Sequence, residues 1–221
     1  MGDQRMETAS IRLSQKDSYM IWKVEAVDKR GGGQGIVVGY GDEMMGAIMI
    51  GILDVFYRGD GTARGACVVI GDWGDGVAMR EVVAECAGVA EYEPGRFYLR
   101  ELPCLMAVLG KCGEVEGGVP EVLVVDGYVW LEGGRAGLGG HLWEALGRRG
   151  AVVGVAKTKF AGAGGVEVLR GGSMRPLYVT AAGIAEEEAA KRVAGMHGRF
   201  RVPTMVRRAD RVSRSEEGRP V

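Results

Sequence analysis

Histidine and cysteine, the side chains that most often hold zinc, are scarce in this chain. There are two histidines, His141 and His197, and four cysteines, Cys67, Cys86, Cys104 and Cys112, none of them in a C-x-x-C pair. Zinc-ligand spacing is therefore missing. Cys67 and Cys104 lie within apolar segments and read as small buried thiols. Long hydrophobic runs are missing as well: the longest, residues 44–53, falls short of the ~20 residues of a membrane helix. Residues 1–20 mix acids, bases and polar groups without the apolar stretch of a signal peptide, so the expected setting is soluble and cytoplasmic, with no membrane partner. No G-x-S-x-G elbow occurs and neither histidine stands beside a serine or cysteine, which leaves a nucleophilic triad without support. Charge of one sign is also lacking, since the formal net charge is −1 and gives no global pull toward nucleic acid.

What the chain does have is apolar content, 47% of 221 residues, enough for one globular unit with a sizeable core. Residues 1 to about 18 read as polar and frayed. Residues 20–24 and 35–39 read as a hairpin joined through Gly31-Gly32-Gly33. Segments 52–57, 65–70 and 77–83 are strand-like, and Gly59-Asp60-Gly61 and Gly74-Asp75-Gly76 supply hairpin turns, so three antiparallel strands are expected. Leu102, Leu105, Met106 and Leu109 follow helical spacing and predict a helix over 97–109, with Pro103 tolerated only in its first turn. Apolar strands at 122–125 and 151–156 flank a helix over 138–146 and make a parallel β-α-β unit. A strand pair at 166–169 and 177–180 and a helix over 185–196 follow. The expected fold is α/β with a mixed sheet. The 39 glycines form no phosphate cradle, because neither Gly31-Gly32-Gly33-Gln34-Gly35 nor Gly162-Ala163-Gly164-Gly165 follows a strand and opens a helix.

Three acids stand where burial would be costly. Asp54 ends the apolar run Ile48-Met49-Ile50-Gly51-Ile52-Leu53, Asp126 ends Val122-Leu123-Val124-Val125, and Glu101 lies near the start of the predicted helix. Acids on neighbouring strands, about 4.8 Å apart, can share a divalent ion, and such a hard-cation site suits phosphate esters. Taken singly, Asp54 and Asp126 also fit strand-end carboxylates that accept backbone hydrogen bonds, and Glu101 fits a solvated acid at a helix start. Lys157 emerges after a buried strand, positioned either to steady a phosphate, to pair with one of the acids, or to face solvent. Between Arg199 and Arg214 six arginines face the single acid Asp210; charge alone favours a solvated basic tail over a phosphate-binding segment.

Ile52-Leu53-Asp54-Val55-Phe56-Tyr57, Tyr92-Glu93-Pro94-Gly95, Leu99-Arg100-Glu101-Leu102-Pro103, Val124-Val125-Asp126-Gly127, Gly154-Val155-Ala156-Lys157-Thr158 and Arg208-Ala209-Asp210-Arg211 resemble, in order and spacing, segments of the endonuclease V family. The resemblance covers about residues 52–214. It implies an RNase H-like fold and a Mg²⁺-dependent nuclease, Mn²⁺ being an alternative ion, that cuts DNA at the second phosphodiester bond 3′ of deoxyinosine. The products would carry a 3′-hydroxyl and a 5′-phosphate. Related members act on inosine in RNA, and a nucleic-acid-binding homologue with little cleavage is the alternative from another class. Carried over by residue, the resemblance makes Asp54 and Asp126 the principal metal ligands, with Glu101 completing the set. Lys157 falls near the scissile phosphate and Asp210 near the site. Tyr92 matches a wedge tyrosine that fills the gap left by the extruded base, and Gly95 and Gly127 match glycines that approach that base.

Departures from the family pattern are equally specific. Glu91 and Glu93 replace the proline and isoleucine that flank the family tyrosine. Glu132, Gly133 and Gly134 stand where His-Pro-Arg is frequent, so an acid there would repel the scissile phosphate if it lies near the metal. The expected organisation is an extension over residues 1–50 without a family role, a catalytic domain over 51–214 and a polar tail over 215–221, working as a monomer.

Overall fold

A computed structural model describes residues 48–87 and 97–215, together with the backbone of three strands before them. Those first strands are β1 (Ser10–Lys16), β2 (Tyr19–Ala26) and β3 (Gln34–Gly41), which form an antiparallel sheet in that order. The expected hairpin is present as β2 and β3, with Trp22 opposite Val38. β1 corrects the reading of residues 1–18 as frayed: Ser10 pairs with Glu25 and Lys16 with Tyr19. The overlooked signal is the alternation of Ile11 and Leu13 with Arg12 and Ser14, a period of two characteristic of strands.

The larger sheet has seven strands: β4 (Ile50–Tyr57), β5 (Ala63–Ile70), β6 (Arg80–Cys86), β7 (Val122–Val125), β8 (Ala151–Ala156), β9 (Val166–Val168) and β10 (Leu177–Ala182). Their spatial order is β6-β5-β4-β7-β8-β10-β9. β4, β7 and β8 run parallel, and the flanking pairs are antiparallel. The third strand begins at Arg80 rather than at the expected position 77, because Met79 still belongs to the turn and donates its N–H back to Val69.

Helices cover both faces, which is why β5 and β8 are buried along their whole length and read as unbroken apolar runs. Alternation sorts the strand residues between the faces. Ile50, Ile52, Val68, Val124 and Val153 pack under α3 (Glu186–Gly195) and α4 (Thr204–Arg214). Leu53, Cys67, Val69, Val125 and Val152 pack under α1 (Tyr98–Gly113) and α2 (Leu138–Ala145). All four thiols are free, and Cys67, Cys104 and Cys112 are buried.

Two helices depart from expectation. Pro103 is the sixth residue of α1, in the second turn instead of the first. It is exposed, so its ring faces solvent while the missing N–H leaves one carbonyl of the first turn unpaired within the helix. The basic segment is not a solvated tail: α4 lays Met205, Val206, Ala209 and Val212 into the core. Three arginines between these apolar positions, Arg207, Arg208 and Arg211, hide a helical stripe at i, i+1, i+4 and i+7. No helix among the described residues is long and apolar enough to cross a membrane.

Candidate active site

The carboxyl ends of β4 and β7 place the two aspartates side by side. Leu53 and Val125 are the last paired residues of these parallel strands, so Asp54 and Asp126 follow at the same level, one strand spacing apart. Leu53 and Val125 point to the α1 face, and strand alternation sends Asp54 and Asp126 to the α4 face. α4 crosses there, and the Ser213 hydroxyl donates to Asp54 Oδ2 at 2.5 Å. Glu101, in the first turn of α1, closes the cleft from the other side. The cleft, about 210 Å³ including its open mouth, is lined by Asp54, Glu101 and Asp126 with Leu53, Leu105 and Leu138. Its position at the ends of parallel strands is where α/β sheets usually bind ligands.

Electrostatics bind the three acids into one unit. Burial is the main influence on Glu101, and the charges of Asp54 and Asp126 add to it; against a small opposing effect from Arg100, its carboxyl is pushed up to about 8. Asp54 is also raised, first by burial and then by Asp210 and Asp126, while Ser213 and Lys157 oppose the rise. The charges of the aspartates thus make Glu101, and that of Asp126 makes Asp54, harder to ionise.

Lys157, directly after β8, donates from Nζ to Asp126 Oδ2 at 2.5 Å. The two side chains are 40% and 37% exposed, so the pair contributes little to stability, on the order of 0–1 kcal/mol; what it settles is orientation. Tyr128 supports it: its hydroxyl donates to the Thr158 carbonyl at 3.0 Å and accepts the Phe160 N–H at 3.2 Å, which ties the segment carrying Lys157 to the turn after Asp126. That turn contains Gly127 at φ 149°, a conformation open to glycine and strained for other residues. A side chain there would meet open space, so the glycine answers to backbone conformation and leaves the region above Asp126 clear.

Asp210, on α4, pairs with Arg214 at 2.9 Å and acts on Asp54 only through its charge. Ser213 and Tyr128 are the participants that sequence reasoning missed. Tyr92 and Gly95 lie outside the described residues. Glu132 opens a single exposed 3₁₀ turn, Glu132–Gly134, and its carboxylate lies against Gly162, where an added Cβ would come within 2.2 Å of Oε2. It is not among the residues lining the cleft.

The donor set of the cleft is all carboxylate oxygen, the chemistry preferred by hard cations such as Mg²⁺ and Mn²⁺. Among the described residues no three His, Cys, Asp or Glu side chains already stand at ligand spacing around one point. The fit rests on the donors and on their mutual repulsion, which a cation offsets.

Comparison with known proteins gives a consistent outcome. The family model for endonuclease V matches residues 40–183, beginning before the resemblance noted at Ile52 and ending before α3. No curated protein matches the chain. Among solved structures, endonuclease V from Streptomyces avermitilis is 25% identical with TM-score 0.63, over 76% of this chain and 81% of that one. The human endonuclease V catalytic domain is 28% identical with TM-score 0.62, over 77% and 82%. A Ciona intestinalis endonuclease V in complex with a 23mer DNA containing an inosine followed by a ribo-adenosine is 19% identical with TM-score 0.65, over 76% and 84%, and shares the fold. These structures share an RNase H-like fold, and so does the seven-stranded sheet described above. Since the family model spans well over half of the sequence, the chain belongs to the endonuclease V family.

Proposed function

We propose that the protein is a divalent-cation-dependent endonuclease that cuts DNA at the second phosphodiester bond 3′ of deoxyinosine, with residues 51–214 as its catalytic unit. The observation that carries this reading is the convergence of Asp54, Glu101 and Asp126 on one cleft, where Asp54 and Asp126 make Glu101 harder to ionise and Asp126 does the same to Asp54. These three residues would hold Mg²⁺, or Mn²⁺ in its place. When bound, such an ion supplies charge neutralisation at a phosphate and acidifies a water molecule.

The chain's own residues prepare the cleft. Ser213 fixes the rotamer of Asp54 through its hydrogen bond. Lys157 holds Asp126 and is the cation best placed to meet a phosphate oxygen once it leaves that carboxylate. Leu53, Leu105 and Leu138 form an apolar floor that limits water around the carboxylates. Asp210 adds negative charge beside Asp54, which makes Asp54 harder to ionise and draws positive charge toward the cleft.

The test uses labelled strands with a single deoxyinosine, matched strands without it, and RNA strands with inosine, each with and without Mg²⁺. Cutting that requires the ion and the inosine, with a product end two bonds downstream, is the expected result; preference for the RNA strand would move the substrate class to inosine RNA. Binding without cutting in Mg²⁺, or in Mn²⁺ put in its place, overturns the nuclease reading in favour of a nucleic-acid-binding homologue.

Tyr92 is proposed on sequence alone as the wedge that stacks in place of the extruded base. Tyr92→Ala should lower the preference for inosine over normal strands about tenfold, equivalent to ~1.4 kcal/mol in the barrier. The check is the ratio of kcat/KM on the two strands, and an unchanged ratio removes the wedge.

A further inference from the structure

Six arginines lie between residues 199 and 214; the fold engages three of them, and Arg211 stands exposed on the outer side of α4. Arg208 pairs with Glu81 at 2.5 Å and Arg214 with Asp210 at 2.9 Å. Arg201 donates to the carbonyls of Lys157 and Pro176. Arg199 and Arg207 differ. Both guanidinium groups rest on the ring of Phe200, at 5.1 and 4.5 Å from its centroid, and neither has a carboxylate partner among the described residues. The Arg207 Nε–H is buried without an acceptor. Phe200 itself is 46% exposed.

Two like charges gathered on one ring repel each other unless an anion lies between them. The surrounding backbone holds them in place regardless. Arg170 donates to the carbonyls of Met196 at 2.5 Å, Gly198 at 3.0 Å, Phe200 at 3.0 Å and Arg201 at 3.3 Å, which locks the loop that carries Arg199 and Phe200. Gly171, at φ 62°, lets the neighbouring turn press directly on that loop: an added Cβ would lie 2.4 Å from the Phe200 carbonyl carbon. A pair of guanidinium groups on a braced loop, without a carboxylate partner among the described residues, is the arrangement that binds phosphate oxygens.

We propose that Arg199 and Arg207, seated on Phe200, form a second phosphate-binding site that grips the sugar–phosphate backbone of a nucleic-acid strand away from the bond that is cut. This rests on the nuclease reading of the Asp54 cleft. Arg207 and Ser213 belong to the same helix, six residues and about 9 Å of axis apart. Arg201 links the clamp to the cleft directly, because it follows Phe200 in the chain and binds the Lys157 carbonyl.

The test is fluorescence anisotropy of a labelled DNA strand carrying one deoxyinosine, in metal-free buffer over a salt series, with cleavage in Mg²⁺ measured in parallel. The double variant Arg199→Gln/Arg207→Gln should weaken binding about tenfold and flatten the slope of log affinity against log salt by roughly 1.4, at ~0.7 for each phosphate of a single strand that is no longer neutralised. The Arg→Lys pair should restore the slope. If the double variant fails to fold, Arg199→Gln alone, on the exposed loop, should flatten it by roughly 0.7. A protein that cuts inosine strands while its folded variants keep the full slope overturns the clamp and leaves the nuclease reading standing. A wild-type protein that neither binds nor cuts overturns the reading itself. Inorganic phosphate at millimolar concentration that flattens the wild-type slope to that of the double variant would assign the site to the free anion and overturn the strand assignment.

Discussion

Asp126→Ala is expected to abolish cation-dependent cutting, by at least about a thousandfold in kcat/KM or ~4 kcal/mol of barrier, while leaving the melting temperature nearly unchanged. Two effects on stability oppose each other. The variant loses the Lys157 pair, which is more than a third exposed and worth on the order of 0–1 kcal/mol. It also removes a negative charge that raises both Glu101 and Asp54, which relieves repulsion in the metal-free protein. The measurement is cleavage of a labelled deoxyinosine strand alongside thermal unfolding in chelator. Activity that survives in a folded Asp126→Ala variant eliminates the carboxylate cleft as the catalytic centre. A loss of activity that tracks a collapse in melting temperature would make Asp126 a structural residue instead.

Glu101→Gln should produce opposite changes in stability and activity. The wild-type carboxyl is pushed from an ordinary value of 4.5 up to about 8 in the folded protein, so the fold holds its proton more tightly than the unfolded chain does. The stabilisation linked to that proton is complete below about pH 4.5, declines as pH rises, and is gone above about pH 8. Glutamine mimics the protonated acid and does not titrate. In chelator the variant should therefore match wild type near pH 5 and exceed it at pH 8.5, by roughly 5–10 °C if a few kcal/mol are recovered at ~2–4 °C per kcal/mol. Added Mg²⁺ should raise the melting temperature of wild type at pH 8.5 and leave Glu101→Gln unmoved. Cutting by wild type should rise between pH 6 and 8.5 and be lost in the variant. Equal Mg²⁺ stabilisation of both proteins would exclude Glu101 from the cation site.

Asp54 and Asp126 were legible because a carboxylate that ends an apolar strand stands out against its neighbours, and parallel pairing of two such strands leaves little freedom about where the acids go. Ser213 was illegible for the opposite reason. Its role depends on α4 crossing back over β4, and arginines interleaved with Met205, Val206, Ala209 and Val212 disguise the buried stripe that makes the helix dock. Tyr128 likewise carries no local signal, since its partners Thr158 and Phe160 lie one strand away. Glu132 was placed by alignment alone, and the positive φ of Gly133 and Gly134 shapes a turn that sets its carboxylate against Gly162. Pro103 misled by rule alone, because an exposed proline on a helix well packed on its other face is tolerated beyond the first turn.

The hydrogen bond from Ser213 to Asp54 spans 159 residues, and this separation has a kinetic meaning. Pairings so distant along the chain form late, because the entropy of closing the intervening loop must be offset by structure already in place. β4, β5 and β6 are joined by short turns and can assemble early, whereas the cleft is complete only when α4 docks across them. During refolding, the far-ultraviolet circular dichroism signal should consequently recover before cutting does, and the lag measures the arrival of the last helix.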